Sequence, residues 1–301
     1  MNDRYIRALC TNGGIRAIAC STTELSRRVC RLQQSSPTVS VALGRGLAAG
    51  ALMGALLKPG QRVALKFEGN GPMGKMIIEA DSDGAVRGCA GTPAAEAEPV
   101  EGRWNVAGVL GRAGFLTVTR DLGLGGEPYR GMVQLCSSEI GDDLAYYLTD
   151  SEQTPSAVGL GVQLDSSGEI EAAGGFLVQT LPGADEGELE RILERLGQMP
   201  PLSGLLRRGG ADLLLKELFE GIPYTLLEER ELEFRCSCSR QRVEQALLSL
   251  GADELREMRE TDRGAEVSCE FCRQGYRFSG EELSGLADQL TAGREPCEPS
   301  C

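Results

Sequence analysis

Four cysteines near the C-terminal end constrain this chain more than any other feature. They form a Cys-x-Cys pair, Cys236 and Cys238, and a Cys-x-x-Cys pair, Cys269 and Cys272, in a chain that has no histidine. A metal site in this chain must therefore use cysteine alone or cysteine with carboxylates. Four thiolates match the closed tetrahedral coordination that zinc prefers. The sequence predicts one zinc ion bound by these four cysteines.

Other interpretations of the four cysteines stay open on these residues alone. Four thiolates can also hold an iron–sulfur cluster. Four ordinary buried thiols would require two close pairs to coincide by chance in one short stretch. A permanent structural zinc, with no signalling role, is the plainest form of the zinc interpretation.

The spacing of the cysteines also suggests sensitivity to oxidation. A disulfide between Cys236 and Cys238 would close a small strained ring, and strained disulfides are easily reversed. Oxidation of either pair removes thiolates that hold the metal. Structural zinc contributes about 10–16 kcal/mol to folding, whereas a core of about 60 residues supplies roughly 3–5 kcal/mol. Oxidation should therefore release the zinc and unfold the module that contains it.

Composition limits the function classes. Lys and Arg total 31 against 44 Asp and Glu, a formal charge of −13, which repels phosphate backbones and argues against nucleic-acid binding. The first residues, MNDRYIRAL, carry no export signal, so we expect a cytoplasmic protein. Eleven cysteines in a reducing compartment favour metal or redox chemistry over structural disulfides. The lack of histidine excludes histidine-based catalysis, and we expect no enzyme.

The first 180 or so residues are typical of an α+β domain, in which strands and helices pack in a sandwich-like arrangement. A capping box at Ser21 and Glu24 predicts the start of a helix, and a second helix is predicted over residues 138–150. Period-two alternation predicts strands over residues 4–9, 15–20, 61–90 with two turns, 115–120, 130–136, 157–164 and 170–179.

The apolar run over residues 37–57 is long enough to raise the question of a membrane span. Arg45 lies inside it, and its residues are small rather than strongly lipophilic. It therefore predicts a buried core helix and no membrane association. Residues 69–75 fit the first part of a phosphate-binding loop, but Met76 stands where that loop needs Ser or Thr. A hairpin turn is the better interpretation.

The composition changes after Pro182 to a leucine-rich, charged stretch with helical spacing. Prolines and glycines divide it into short helices that need a neighbouring apolar surface. The last module is predicted to contain helices over residues 240–250 and 253–260, a β-like knuckle with the second cysteine pair, and a final helix opened by a capping box. The predicted organisation is a core domain (1–181), a helical metastable linker (182–232), a zinc-binding redox-switch domain (233–294) and a flexible tail (295–301).

Several motifs resemble the redox-regulated 33 kDa chaperonin family, the heat-shock proteins of 33 kDa. They are Cys-Ser-Cys-Ser-Arg at 236–240, Ala-Leu-Leu-Ser-Leu-Gly at 246–251, Cys-Glu-Phe-Cys at 269–272 and the stretch LKPGQRVALKFEGNGPMGKMIIEADSDGAVRG at 57–88. The resemblance covers nearly the whole chain, including the order of domain, linker and cysteine module.

The resemblance implies a cytoplasmic, ATP-independent holdase that binds unfolding proteins under oxidative stress. Such a chaperone is inactive when reduced and zinc-bound. Oxidation would activate it through disulfide formation, zinc release, unfolding of the switch module and linker, and formation of a homodimer. By motif position, the redox-active disulfides would join Cys236 with Cys238 and Cys269 with Cys272.

Other residues fit this scheme less closely. We expect small buried thiols at Cys10, Cys20, Cys30, Cys89 and Cys136. Cys297 and Cys301 follow the switch module in the acidic tail, where they would be exposed thiols or form an extra disulfide. Three arginines near the cysteines, Arg235, Arg240 and Arg273, would coat the surface or lower the thiol pKa values. A thiol-disulfide oxidoreductase and a zinc-ribbon module for nucleic acid remain the rival function classes.

Overall fold

The computed structural model describes residues 2–292 and divides the chain into two compact units between Arg235 and Cys236. Both units mix helices and strands, as the α+β prediction requires. The further boundary that the sequence predicts at residue 181 stays a prediction. The predicted flexible tail, with Cys297 and Cys301, lies outside the described residues.

The first unit contains two sheets. The first sheet has the strand order β10-β1-β2-β9-β8, and the second has the order β11-β5-β4-β3-β6-β7. Apart from the short parallel pair of β11 and β5, the strands are antiparallel. The strands are β1 (Arg4–Cys10), β2 (Ile15–Ser21), β3 (Arg62–Gly69), β4 (Lys75–Asp81), β5 (Ala85–Ala90), β6 (Gly114–Asp121), β7 (Tyr129–Gln134), β8 (Ser156–Leu164), β9 (Ile170–Thr180), β10 (Tyr224–Glu231) and β11 (Glu233–Phe234).

The first unit also contains helices, which together cover both faces of the first sheet. They are α1 (Thr23–Gln33), α2 (Pro37–Gly54), α3 (Val106–Leu110), α4 (Ile140–Asp150), α5 (Glu186–Gln198) and α6 (Leu202–Leu218). Helix α2 contacts strands of both sheets and is buried along almost its whole length. The buried core helix predicted from the apolar run is thus confirmed. Its Arg45 forms an ion pair with Glu139, which satisfies the charge inside the run.

Helices α5 and α6 cover the other face of the first sheet. Their apolar side chains form a second core with residues of β1, β2 and β9, separate from the core around α2. The sheet surface beneath them combines small side chains, such as Ala17 and Ala19, with larger ones, such as Ile15 and Phe176. A Cβ atom on Gly161 would lie 2.9 Å from the Cβ of Leu202, so glycine is what lets the start of α6 approach the sheet this closely.

The interpretation of residues 182–232 as wholly helical was wrong at its C-terminal end. Residues Tyr224–Glu231 form strand β10, which pairs antiparallel with β1 along its whole length, from Arg4 with Glu231 to Cys10 with Tyr224. The strand lies at the sheet edge and is largely exposed on both faces. It therefore lacks the alternation of apolar and polar residues by which a strand is recognised.

Helix α1 begins differently from the predicted capping box. Its N-cap residue is Thr22, which makes no side-chain capping bond. The carboxylate of Asp3 accepts a hydrogen bond of 2.6 Å from the backbone N–H of Leu25 instead, and Ser21 accepts one of 2.8 Å from the N–H of Ala211 in α6. A residue distant in sequence therefore supplies the cap, because Ser21 bonds to α6.

The glycine-rich stretch before β4 is a hairpin turn, as predicted. The N–H of Gly69 donates to the carbonyl of Gly74 over 2.9 Å, and Gly74 donates to Gly71 over 3.0 Å. A strand follows, not a helix. The stretch therefore offers no helix N-terminus to a phosphate group.

The second unit is small. It contains α7 (Arg240–Leu248), α8 (Ala252–Asp262), β12 (Gly264–Ser268), β13 (Gly275–Ser279) and α9 (Gly280–Ala292). Its core has few fully buried apolar side chains: Leu247, Leu255, Phe278, Leu283, Leu286 and Ala287. The predicted second capping box is confirmed, since Ser279 and Glu282 each accept a hydrogen bond from the other's backbone N–H, at 3.3 and 2.8 Å. None of the helices between residues 2 and 292 is long and apolar enough to cross a membrane.

Candidate metal centre

The four predicted ligands come together in the second unit. The Sγ atoms of Cys236, Cys238, Cys269 and Cys272 all lie within 4.8 Å of one another. The Cys236–Cys269 and Cys238–Cys272 sulfur pairs are 3.7 and 3.4 Å apart. A tetrahedral site with Zn–S bonds of about 2.3 Å has sulfur–sulfur edges of roughly 3.8 Å. The donor set and its dimensions fit a zinc ion.

A tight turn positions the second cysteine pair between β12 and β13. The N–H of Cys269 donates to the carbonyl of Gln274 over 3.0 Å, and the N–H of Arg273 donates back to the carbonyl of Cys269 over 2.9 Å. Arg273 has a left-handed backbone, with φ of 59°. These bonds fold the Cys-x-x-Cys segment so that both sulfurs point to one side.

The first cysteine pair lies directly before α7. Ser239 is the N-cap of this helix and accepts a hydrogen bond of 3.3 Å from the N–H of Arg242. The side chain of Arg242 in turn donates to the hydroxyl of Ser237, between the two cysteines, over 2.6 Å. The helix start therefore fixes the path of the Cys-x-Cys segment.

Two of the metal-free thiols, Cys269 and Cys272, resist ionisation. Burial raises the pKa of Cys269, and burial together with hydrogen bonds to the neighbouring sulfurs raises the pKa of Cys272 to about 12. Backbone N–H groups of Phe271 and Gln274 act in the opposite direction on the pKa values of these two sulfurs. A bound cation would have to supply the charge that keeps all four sulfurs deprotonated.

Sequence reasoning missed Tyr276. Its hydroxyl donates a hydrogen bond of 3.1 Å to the Sγ of Cys238, and this bond raises the pKa of Tyr276 to about 12. The residue stands four positions beyond Cys272, on β13. The available signal was a tyrosine in a strand beside the motif, since a tyrosine hydroxyl near a core usually finds a partner.

Two of the neighbouring arginines serve the structure around the site. The Arg240 guanidinium lies over the ring of Phe278, 4.2 Å from its centroid, and pairs with Glu282 at 2.6 Å. Arg235 pairs with Glu233 at 3.0 Å. Arg240 and Arg235 therefore contribute surface packing and ion pairs rather than contacts with sulfur.

The remaining described cysteines lie in the first unit. Cys10, Cys20, Cys30 and Cys89 are buried, as predicted, whereas Cys136 is exposed, so that prediction was wrong. The sulfur of Cys136 lies 3.2 Å from the carboxylate of Asp143, at the polar turn before α4. Burial is also the main cause that raises the pKa of Cys20 to about 12.

Comparison with known proteins identifies the family of this chain. The family model described as Hsp33 protein matches residues 3–279. This chain belongs to the Hsp33 family. The 33 kDa chaperonin of Pelobacter propionicus is 65% identical over 98% of this chain and 97% of its own length, and that of Geobacter sulfurreducens is 54% identical over 97% of both.

A solved relative has the same fold. The crystal structure of the 33 kDa chaperonin (heat shock protein 33 homolog) from Thermotoga maritima superposes with a TM-score of 0.89 at 33% identity, covering 97% of this chain and all of that one. The family resemblance predicted from the motifs is therefore confirmed. Membership in the Hsp33 family supports a chaperone function for this chain.

Proposed function

We propose that the chain is a redox-regulated, ATP-independent holdase that binds unfolding proteins under oxidative stress. The observation that carries this proposal is the four-sulfur cluster, which begins the second unit directly after a segment that covers an apolar sheet face. In the reduced, zinc-bound state the segment stays docked and the chaperone is inactive. Oxidation releases the zinc and frees the segment.

The four ligands are also the proposed redox-active residues. Cys236 would pair with Cys238, and Cys269 with Cys272. The shortest sulfur contacts run between the two motifs instead, so the proposed disulfides require the site to rearrange. Formation of either disulfide removes two of the four zinc ligands, and this couples oxidation to loss of the metal.

The small core of the second unit supports its unfolding after zinc loss. The fully buried apolar side chains of the described part of this unit, residues 236–292, belong to one cluster of six. A core of this size supplies roughly 3–5 kcal/mol, less than the about 10–16 kcal/mol that structural zinc contributes. The metal-free unit would therefore lose its fold.

The segment before the zinc unit is the proposed metastable linker, residues 182–232. Its helices bury Ile192, Leu206, Leu214 and Leu218 against the first sheet. Short helices of this kind depend on docking for their stability. Detachment would expose both the leucines and the apolar sheet face beneath them, which together form the apolar surface that unfolding clients require.

Strand β10 extends this exposed surface. Removing it would uncover the backbone N–H and C=O groups of β1, which become a free sheet edge. Three exposed apolar side chains, Tyr224, Leu226 and Leu227, already lie on β10 in the docked state. We propose that the opened chaperone offers clients an apolar face and an adjoining strand edge.

The remaining parts of the proposal concern partners and location. We propose unfolding proteins as clients, a homodimer in the oxidised state, a cytoplasmic location, and neither nucleic acid nor membrane as a partner. We also propose that the protein is not an enzyme. A thiol-disulfide oxidoreductase would need a reactive thiol, whereas burial raises the pKa values of Cys269 and Cys272.

Light scattering of a thermally unfolding client tests the proposal. Reduced, zinc-loaded protein should leave aggregation unchanged, and peroxide-treated protein should suppress it after releasing one zinc per chain. Trypsin cleavage within residues 182–232 should accelerate in the oxidised sample. Equal suppression of aggregation by the two forms would refute the switch, and turnover of dithiol substrates would favour the oxidoreductase.

A further inference from the structure

The hydrogen bond between Tyr276 and Cys238 differs in kind from the backbone bonds around the other sulfurs. Backbone N–H groups of Phe271 and Cys272 reach the sulfur of Cys269, and that of Gln274 reaches Cys272. Those donors are fixed by the turn itself. The donor to Cys238 is a phenol, 3.1 Å away, so a single substitution can remove it while the backbone of the site stays as it is.

Strand pairing fixes the backbone of Tyr276, and core packing fixes its ring. Tyr276 pairs with Val267 across the β12–β13 ladder, and its ring packs against the core of the second unit. Phe278, two residues further along the strand, is buried in the same core, which places both rings on one face of the hairpin. The hydroxyl is therefore aimed at Cys238 by packing and strand register, not by chance rotation.

We propose that Tyr276 is a positioning residue that sets the threshold of the redox switch by donating its hydroxyl hydrogen bond to the Cys238 thiolate in the zinc-bound state. This inference rests on the proposed function. A thiolate that accepts a hydrogen bond has less electron density for attack on an oxidant. Groups in contact with metal ligands tune such sites, and their removal changes metal affinity or activity by about 10- to 100-fold.

The affected step is the oxidation of Cys238 by hydrogen peroxide. A thiolate sulfur attacks one peroxide oxygen, an S–O bond forms, the O–O bond breaks, and hydroxide leaves to take up a proton as water. A second thiolate then attacks the resulting sulfenic sulfur and expels a second hydroxide, giving one disulfide. The sulfurs lose two electrons in total, and the peroxide gains them. The Tyr276 bond opposes the attack of the Cys238 sulfur on peroxide.

The test compares Tyr276→Phe with the wild-type full chain, both reduced and loaded with zinc. Zinc release under excess peroxide, followed with a colorimetric chelator, should be about tenfold faster in the variant. Tyr146→Phe is the matched control, because it removes one hydroxyl from an exposed tyrosine of the first unit. Its release rate should equal that of the wild type.

A cobalt-substituted form gives a readout that does not depend on oxidation. Loss of the hydrogen bond should move the sulfur-to-cobalt charge-transfer band of Tyr276→Phe to lower energy, with the tetrahedral d–d bands kept. An unchanged charge-transfer band, an unchanged release rate, or loss of tetrahedral cobalt binding would each overturn the proposal. If peroxide releases zinc from none of the proteins, the proposed switch fails, while the cobalt band still decides whether the hydrogen bond is present.

Discussion

Docking of α5 on the first sheet can be weakened at one side chain. Ile192 is 1% exposed and belongs to the core that α5 and α6 form with the first sheet. Leu193, the next residue, is 57% exposed. Replacing a buried Ile by Ala costs about 2–5 kcal/mol. Since about 1.4 kcal/mol is a factor of ten, Ile192→Ala should raise the undocked population at least about 30-fold. The exposed neighbour provides a matched control on the same helix.

Limited trypsin digestion measures this population in the reduced, zinc-loaded protein. Arg191 and Arg195 lie on α5, and cleavage there follows the open population when opening and closing are faster than proteolysis. Ile192→Ala should be cut roughly 30-fold faster than wild type, whereas Leu193→Ala should stay within about twofold. The reasoning is refuted if the two variants are cleaved equally fast. Cleavage at Arg62, in a central strand of the other sheet, reports any global unfolding.

Three further substitutions test other parts of the structure. Glu188→Gln removes the charge of a buried carboxylate, one oxygen of which, Oε2, has no hydrogen-bond partner. The docking of α5 should therefore become more favourable by about 1 kcal/mol, and trypsin should cleave at Arg191 roughly fivefold more slowly. Cys272→Ser should abolish stoichiometric zinc binding and amide-exchange protection in residues 236–292, with the first unit still folded. Burial raises the pKa of Asp3 to about 6. The protonated Asp3 carboxyl group should therefore stabilise the folded state by about 3 kcal/mol below about pH 4, and this contribution should be lost as the pH rises through about 6. Chemical denaturation of Asp3→Asn should lack this pH-dependent contribution.

The four-cysteine cluster was predictable because its information is local. The two motifs fix the spacing of the sulfurs within each pair, and soft thiolates without histidine leave few candidate metals. The capping box at Ser279 and Glu282 formed for the same reason, since all its partners lie within one turn. The hydrogen bond from Tyr276 depends on the register of β13 against β12, which the motif spacing does not specify.

Elements that depend on distant partners were missed. Strand β10 pairs with β1 from the opposite end of the first unit, and its sequence, YTLLEERE, has no period-two alternation. The pattern at Ser21 and Glu24 predicted a local cap, but Asp3 reaches the N–H groups of α1 and Ser21 bonds to Ala211 instead. Tertiary contacts overrode local preference in both places.

Some polar contacts of residues 182–232 oppose the docking of this segment on the first sheet. Glu188 on α5 accepts a hydrogen bond of 2.9 Å from Asn12, yet its second carboxylate oxygen is buried without a partner. Arg7 pairs with Glu228 of β10 at 2.7 Å, and its Nε is likewise buried and unpaired. Each such atom costs about 1–3 kcal/mol while the segment is docked and regains water when it leaves. The apolar burial of α5 and α6 is thus offset at the two elements that the proposed activation must release.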